Sequence, residues 1–239
     1  MKNNFLKKLG YLVLGIVIFA VCYELIPRIF GYFFKGFLED NSSKILHEVI
    51  NCSLEILVFA TLFIIHRKTI IADFKKIKND LRKNLNIGFK YYFIGFMVMA
   101  ASNILLGILF GGIAENEEVN RQIIKVFPVY SILAMIILGP MIEELIFRLG
   151  FRKAFNKWLP YAIFTALFFG GLHVYTAYQG MNIHEILKNW HEMLYIVPYG
   201  ALGFAFAKTY FETDNIWTSI IIHTLHNAFT ILMIIGTMR

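Results

Sequence analysis

The sequence predicts an all-α protein, a polytopic membrane bundle of about seven (six to eight) transmembrane helices. Of its 239 residues, 58% are hydrophobic and 24 are phenylalanine, whereas soluble domains are roughly 45–50% apolar. Only 16% of the residues are charged, against roughly 25% in typical soluble chains. Apolar runs of about 20 residues, the length that crosses a bilayer, recur along the chain. These three observations exclude an ordinary soluble domain.

Seven apolar segments are predicted to cross the membrane, with ends defined to within several residues. A further half-helix within residues 180–190 would make eight. The segments run over residues 9–35, 46–65, 88–112, 129–149, 159–178, 191–211 and 215–237.

The net charge of +7 is concentrated in the N-terminus and in a few loops. Cytoplasmic loops of membrane proteins are enriched in Lys and Arg. The charges therefore predict a multi-pass protein of the cell membrane with a cytoplasmic N-terminus. They indicate contact with membrane lipid and no nucleic acid partner.

One integral membrane domain is predicted, with two differing halves. Residues 1–112 form N-terminal transmembrane helices around a basic cytoplasmic loop, 66–90, whereas residues 113–239 carry the polar motifs and form the predicted catalytic core. The basic loop is also compatible with an amphipathic helix on the membrane surface. The apolar side of that helix would carry Ile71, Phe74, Ile77 and Leu81.

Two glutamates and an arginine interrupt the fourth apolar segment. Glu144 and Arg148 are spaced i, i+4, so they share a helix face and can pair. Glu143 lies about 100° away on the same helix and points elsewhere. This spacing favours a structural ion pair and a separate carboxylate, although Arg148 snorkelling at a solvated helix end is an equally ordinary explanation.

Two later segments carry further polar groups. Phe169 and His173 are spaced i, i+4, next to glycines that permit close helix packing. His223 and Asn227 are also spaced i, i+4, with His226 beside them. Each set alone is compatible with interhelical hydrogen bonding. Counted from the cytoplasmic helix ends, His173 lies deeper than the others, at roughly 20 Å.

Together the three sets supply a carboxylate, histidines and an amide on three segments. A carboxylate can take a proton from water. Histidine and asparagine side chains can donate hydrogen bonds to a developing oxyanion. The combination indicates hydrolysis.

The motifs E-E-x-x-x-R (Glu143, Glu144, Arg148), F-x-x-x-H (Phe169, His173) and H-x-x-x-N (His223, Asn227) occur in that order. This pattern resembles the CPBP family, the CAAX proteases and bacteriocin-processing enzymes also called the ABI family. The resemblance covers about residues 129–235 and implies an intramembrane endopeptidase that acts on a peptide or a membrane-anchored protein.

The resemblance also implies roles for individual residues. Glu143 would be the general base and His173 its assistant, while His223 and Asn227 would form the oxyanion site. Arg148 would hold Glu144 in place.

Metal dependence is left open by the sequence. There is no H-E-x-x-H signature of zinc proteases. Zinc is an alternative, with Glu143, His173 and His223 as its ligands. Direct glutamate catalysis, with no cofactor, is favoured.

Two non-enzymatic functions are alternatives. One is a bacteriocin immunity or membrane scaffold protein, and the other is a small transporter, although no paired halves with broken helices are visible. Glu48 and Glu55 share a helix face and either line a cavity or lie near the outer interface, and the interface is favoured. Tyr195 and Tyr199 either border the active cavity or serve in packing, and packing is favoured.

Overall fold

The computed structural model describes residues 2–39 and 43–237 and is 92% helical. No β-strand occurs within these ranges, so the predicted all-α fold class is confirmed. Five helices among the described residues are long and apolar enough to cross a membrane. The count of about seven spans stays a prediction. The five are Asn4–Phe37, Lys44–Phe110, Pro128–Gly150, Trp158–Tyr175 and Ile216–Thr237.

Ten α-helices are formed by the described residues. π-Helical segments connect α1 to α2, follow α5 and follow α6, and 3-10 turns follow α7 and precede α9. All seven predicted segments are helical over most of their length. The helices are α1 (Lys2–Ala20), α2 (Ile26–Glu39), α3 (Lys44–Phe110), α4 (Glu115–Val126), α5 (Pro128–Ser131), α6 (Gly139–Glu144), α7 (Trp158–Tyr175), α8 (Ile183–Lys188), α9 (Ile196–Thr213) and α10 (Ile216–Thr237).

Helix α3 contains two predicted segments and folds back between them. Asp80 has non-helical dihedral angles, with φ −114° and ψ 15°. Glu55 before this residue and Met99 after it line the same cavity. In a straight helix they would lie about 66 Å apart, at ~1.5 Å per residue. The chain therefore reverses at Asp80, and we call residues 44–79 the first arm and residues 81–110 the second arm.

The basic segment 66–90 is thus helical on both sides of the bend rather than a loop. Of the four apolar residues predicted to lie on its membrane side, Ile77 is buried inside the bundle. The other three, Ile71, Phe74 and Leu81, are exposed.

Both predicted halves contribute to the main hydrophobic core. Helix α9 packs against α7 and against α3, and α10 packs against α3, α6 and α9. The core joins side chains of α1, the first arm, the α6 region, α7, α9 and α10. Its most buried members are Leu62, Leu145, Ile146, Phe147, Phe151, Tyr161, Ala162, Ala207 and Ile216.

A buried polar junction fixes the start of α10, the helix that carries His223. The Asp73 carboxylate on the first arm accepts from the backbone N–H of Ile216 at 3.0 Å. Asn215 accepts from the N–H of Trp217 at 3.0 Å and donates to the Asp73 carbonyl at 2.8 Å. These bonds satisfy N–H groups that a helix start leaves without partners. A residue of the N-terminal half, Asp73, therefore positions α10, one of the helices that carry the polar motifs.

The outer surface of the bundle is strongly apolar. Large aliphatic and aromatic side chains are exposed along α1 and along both arms of α3. Examples are Val13, Leu14, Ile64, Phe93 and Ile108. A soluble monomer rarely exposes such continuous apolar surface. Together with the five candidate spans, this surface identifies a membrane protein.

Close packing of the second arm against α9 depends on Gly95. A Cβ atom at this position would lie 2.7 Å from Ala205 Cβ and 2.9 Å from the Ala201 carbonyl oxygen. We expect Gly95→Ala to lower the free energy of unfolding by about 1–3 kcal/mol, the usual cost of overpacking.

Thermal unfolding in detergent would measure this effect. Gly10→Ala is the matched control, because a Cβ there meets nothing within 4 Å. Equal melting temperatures for the two variants would contradict the prediction.

Candidate active site

The three polar motifs converge on one cavity of about 360 Å³. Glu143, His173, His223 and Asn227 all line it. Both arms of α3 and helix α4 complete its wall. The other polar side chains along the wall are Glu55, Asn103, Asn116, Glu117, Asn120, Tyr130, Tyr199, His226 and Thr230.

The Glu144–Arg148 ion pair that the i, i+4 spacing predicts is present and fully buried. Arg148 Nε donates to Glu144 Oε2 at 2.8 Å and Arg148 Nη2 donates to Oε1 at 3.1 Å. Both side chains are 0% exposed. The guanidinium also lies over the rings of Phe169 and Phe206, at 5.6 and 5.9 Å. Arg148 does not snorkel to an interface.

Glu144 in turn orients His223 across 79 residues of sequence. His223 Nδ1 lies 3.1 Å from Glu144 Oε1, and Ser219 Oγ donates to the same carboxylate. An ionised carboxylate only accepts, so Nδ1 carries a hydrogen. The imidazole stacks on Phe206 with ring centroids 4.4 Å apart. Its second nitrogen, Nε2, is directed toward Glu143.

Glu143 and Glu144 face opposite nitrogens of the His223 ring. Glu143 Oε2 lies 3.6 Å from His223 Nε2. This oxygen is buried and makes no hydrogen bond to any described residue. A buried carboxylate oxygen without a partner is costly, and such groups concentrate at functional sites. The contrast with Glu144 follows from the ~100° between consecutive residues on a helix.

His173 is held by α7 and α9. Its Nδ1 lies 2.9 Å from the Phe169 carbonyl oxygen, which can only accept, so Nδ1 carries the hydrogen and Nε2 is the basic nitrogen. The ring stacks on Tyr199 with centroids 4.6 Å apart. The Tyr199 hydroxyl accepts from Asn116 Nδ2 of α4 at 3.3 Å. Gly170 permits the close approach of these helices, since a Cβ there would lie 2.8 Å from the Ile196 carbonyl oxygen.

The ring of Phe169 contacts both His173 and His223. Its centroid lies 5.7 Å from that of His223, and His173 is one helical turn further along α7 than Phe169. Helix α7 begins at Trp158, close to the predicted start of the segment, and the deeper position of His173 stays a prediction.

A zinc site is not assembled by these side chains. Within residues 2–39 and 43–237, no three His, Cys, Asp or Glu side chains are grouped as metal ligands. Glu143 and His223 are neighbours, at 3.6 Å, and His173 is not grouped with them as a third ligand among the described residues. The arrangement does not fit the ligand set Glu143, His173 and His223, and zinc stays an alternative prediction.

Asn227 and His226 complete the polar wall on α10. Asn227 Nδ2 donates to the Met135 carbonyl oxygen at 2.8 Å. Met135 lies in the π-helical segment Ile132–Leu138, where the N–H of Gly139 bonds to Ala134 and the regular hydrogen-bond ladder is displaced. His226 Nδ1 lies 3.2 Å from the Tyr92 hydroxyl of the second arm.

Two interpretations of individual residues were wrong. Glu55 lines the cavity instead of lying at the outer interface, because the first arm packs beside α5 and α6. Tyr199 lines the cavity and supports His173, whereas Tyr195 is a buried packing residue as predicted. Helix α4 has three glutamates in its first turn, and its Asn116 and Glu117 face the cavity. Helical spacing alone carried no signal for these long-range placements.

Fold and site together define an all-α membrane protein that encloses a carboxylate–histidine cavity. Residues 125–229 match the family model described as Type II CAAX prenyl endopeptidase Rce1-like. This region contains all three motifs and excludes α1 to α3. Through this region the chain is similar to the CPBP family, the resemblance that the motifs predicted.

A curated relative matches a longer part of the chain. It is "Putative membrane peptidase YdiL" of Bacillus subtilis (strain 168), 27% identical over 170 residues. The alignment covers 68% of this chain and 63% of the relative, which is less than two thirds of the relative's length. No solved structure gives a significant match.

Proposed function

We propose that this protein is an intramembrane endopeptidase that hydrolyses a peptide bond in a membrane-associated peptide or protein. Glu143 carries the proposal: a buried carboxylate oxygen without a hydrogen bond faces His223 at 3.6 Å inside a cavity among membrane helices. The family of residues 125–229 and the named relative support the same reaction class. The N-terminus lies on the cytoplasmic side in this proposal, as the loop charges indicate.

The first step is attack by water on the scissile carbonyl carbon. Glu143 accepts a proton from the water while the water oxygen bonds to the carbonyl carbon. The π electrons of the carbonyl group move onto the carbonyl oxygen, which becomes the oxyanion. His173 assists through Nε2, the nitrogen that can accept a hydrogen bond from water.

The oxyanion is then stabilised by His223 and Asn227. His223 donates to the oxyanion from Nε2, and the Glu144 carboxylate holds the ring through Nδ1. Asn227 donates with the amide hydrogen that is not used by Met135. Collapse of the intermediate breaks the C–N bond, and Glu143 returns the proton to the leaving amine.

Peptide cleavage by the purified protein in lipid tests the proposal. A quenched fluorescent peptide library is incubated with wild type and with Glu143→Gln, each with and without chelator. We expect cleavage by wild type in both conditions and none by the variant. Loss of wild-type cleavage in chelator would instead indicate a metal.

A non-catalytic immunity or scaffold role predicts a different result. Wild type would cleave nothing, and Glu143→Gln would complement a deletion in cells. That pair of outcomes would overturn the proposed function.

Tyr199 is expected to position His173 through its ring. We expect Tyr199→Leu to lower kcat up to about tenfold, since aromatic stacking contributes about 0.5–1.5 kcal/mol. Tyr199→Phe keeps the ring and loses only the bond to Asn116, so its kcat should stay within about threefold of wild type. Steady-state kinetics of both variants would measure this, and equal losses of kcat would contradict a role for stacking.

A further inference from the structure

Glu55 is a cavity residue that the reaction above does not use. It lies on the first arm of α3, outside the region matched by the family model. Its side chain faces the same cavity as Glu143 and is hydrogen-bonded to the Tyr130 hydroxyl. The two carboxylates are close enough for electrostatic repulsion.

The charges along the cavity wall are unbalanced. Three carboxylates line it, and no Lys or Arg occurs among its lining residues in the described part of the chain. Glu117 is paired with Arg121 at 2.8 Å, and Glu143 faces His223. Glu55 has a neutral partner, and no cation of the described residues lies within ion-pair distance of it.

An unpaired carboxylate in such a place is costly. The desolvation cost of a buried charge is offset only when an opposite charge and hydrogen bonds replace the solvent. The Tyr130 hydroxyl supplies one hydrogen bond but no charge. A cation beside Glu55 would supply the missing charge and would also reduce its repulsion with Glu143.

We propose that Glu55 and Tyr130 form a specificity subsite that binds a cationic group of the substrate close to the scissile bond. This group is a Lys or Arg side chain or the α-ammonium of the peptide, all of which are cationic nitrogen groups that donate hydrogen bonds. The inference rests on the proposed endopeptidase function. Glu55 accepts charge-assisted hydrogen bonds from the cation, and Tyr130 orients the carboxylate. Substrates with a neutral or acidic group there leave Glu55 unpaired and bind more weakly.

Matched peptides that differ in one charge test the subsite. Quenched fluorescent peptides carry Lys, Gln or Glu at each position within three residues of the cleaved bond, with free or acetylated N-termini. We expect kcat/KM of wild type to favour Lys over Gln by about tenfold or more at one position, since a hydrogen bond to a charged group exceeds a neutral one. If the α-ammonium is the ligand, acetylation causes the same loss instead.

Three variants test whether Glu55 causes a preference for the cationic peptide. In Glu55→Gln the Lys-to-Gln ratio should fall to near one. Tyr130→Phe should reduce the ratio less. Glu48→Gln, on the same arm two turns away and outside the cavity wall, should keep the wild-type ratio. An unchanged ratio in Glu55→Gln, or no preference for a cation in wild type, would overturn the proposal.

Binding distinguishes failure of the subsite from failure of the enzymatic function. The dissociation constants of the same peptides are measured on Glu143→Gln, with and without Glu55→Gln. If wild type cleaves nothing but binding favours Lys through Glu55, the subsite holds and the protease proposal falls. If binding shows no dependence on Glu55, the subsite proposal falls whether or not the peptides are cleaved.

Discussion

Glu143→Gln is expected to reduce kcat for peptide cleavage by about 10²–10⁴, the usual contribution of a positioned general base. Glutamine matches glutamate in shape and cannot accept the proton of the attacking water. KM should change little, because the proposed contacts to the bound peptide do not depend on this proton transfer.

The same substitution is expected to leave the fold intact. Oε2 of Glu143 makes no hydrogen bond within the described residues, so the amide breaks none there. We expect the free energy of unfolding to change by less than about 1 kcal/mol, because large effects require a broken network or a cavity. Single-turnover kinetics and thermal unfolding of the same preparation would measure both quantities. Glu48→Gln, which also removes one carboxylate, is the control for charge alone.

A second outcome would be equally informative. If Glu143→Gln cleaves at the wild-type rate, Glu143 is not the base and the assignment fails. If it loses activity and also unfolds, the carboxylate has a structural role that its contacts do not explain.

What the sequence could predict was mostly local. The Glu144–Arg148 pair follows from helix geometry, since side chains four residues apart must lie on one face. The separate orientation of Glu143 follows from the same geometry. The all-α membrane class follows from the length and composition of apolar runs, which local hydrophobicity determines.

What the sequence could not predict depends on which helices become neighbours. Glu144 contacts His223 and Ser219 from another helix, and no spacing encodes that distance. Glu55 was placed at the interface because its own helix gives no sign of the cavity. A reversal between the segments 46–65 and 88–112 was predicted, but the sequence did not show that both helices continue to a bend at Asp80.

Arg148→Met is expected to lower the free energy of unfolding by about 3–5 kcal/mol, the cost of leaving a buried charge without its partner. Glu144 would keep its bonds to His223 and Ser219 but would lose its only fully buried counter-charge among the described residues. Methionine has a similar length, so little of the effect comes from lost volume. Cleavage should also fall, because Glu144 orients His223.

The matched control is Arg28→Met, which breaks a pair of the same chemistry and spacing. Arg28 Nη2 lies 2.7 Å from Glu24 Oε2, but these side chains are 78% and 47% exposed. An exposed pair contributes only about 0–1 kcal/mol. Chemical unfolding of both variants in detergent should therefore separate them by several kcal/mol.

A double variant separates lost charge balance from lost packing. Glu144→Gln combined with Arg148→Met removes both charges, and the glutamine amide keeps one oxygen that accepts from His223 Nδ1 and an NH2 group that can donate to Ser219 Oγ. If the cost arises from an unpaired Glu144, the double variant should be more stable than Arg148→Met alone, because neutralising both members of a buried pair removes the desolvation penalty. If the two are equally unstable, the guanidinium acts mainly through its contacts with Phe169 and Phe206. In that case, packing of the buried Arg148 side chain, rather than its ion pair with Glu144, holds the helix of Glu143 in place.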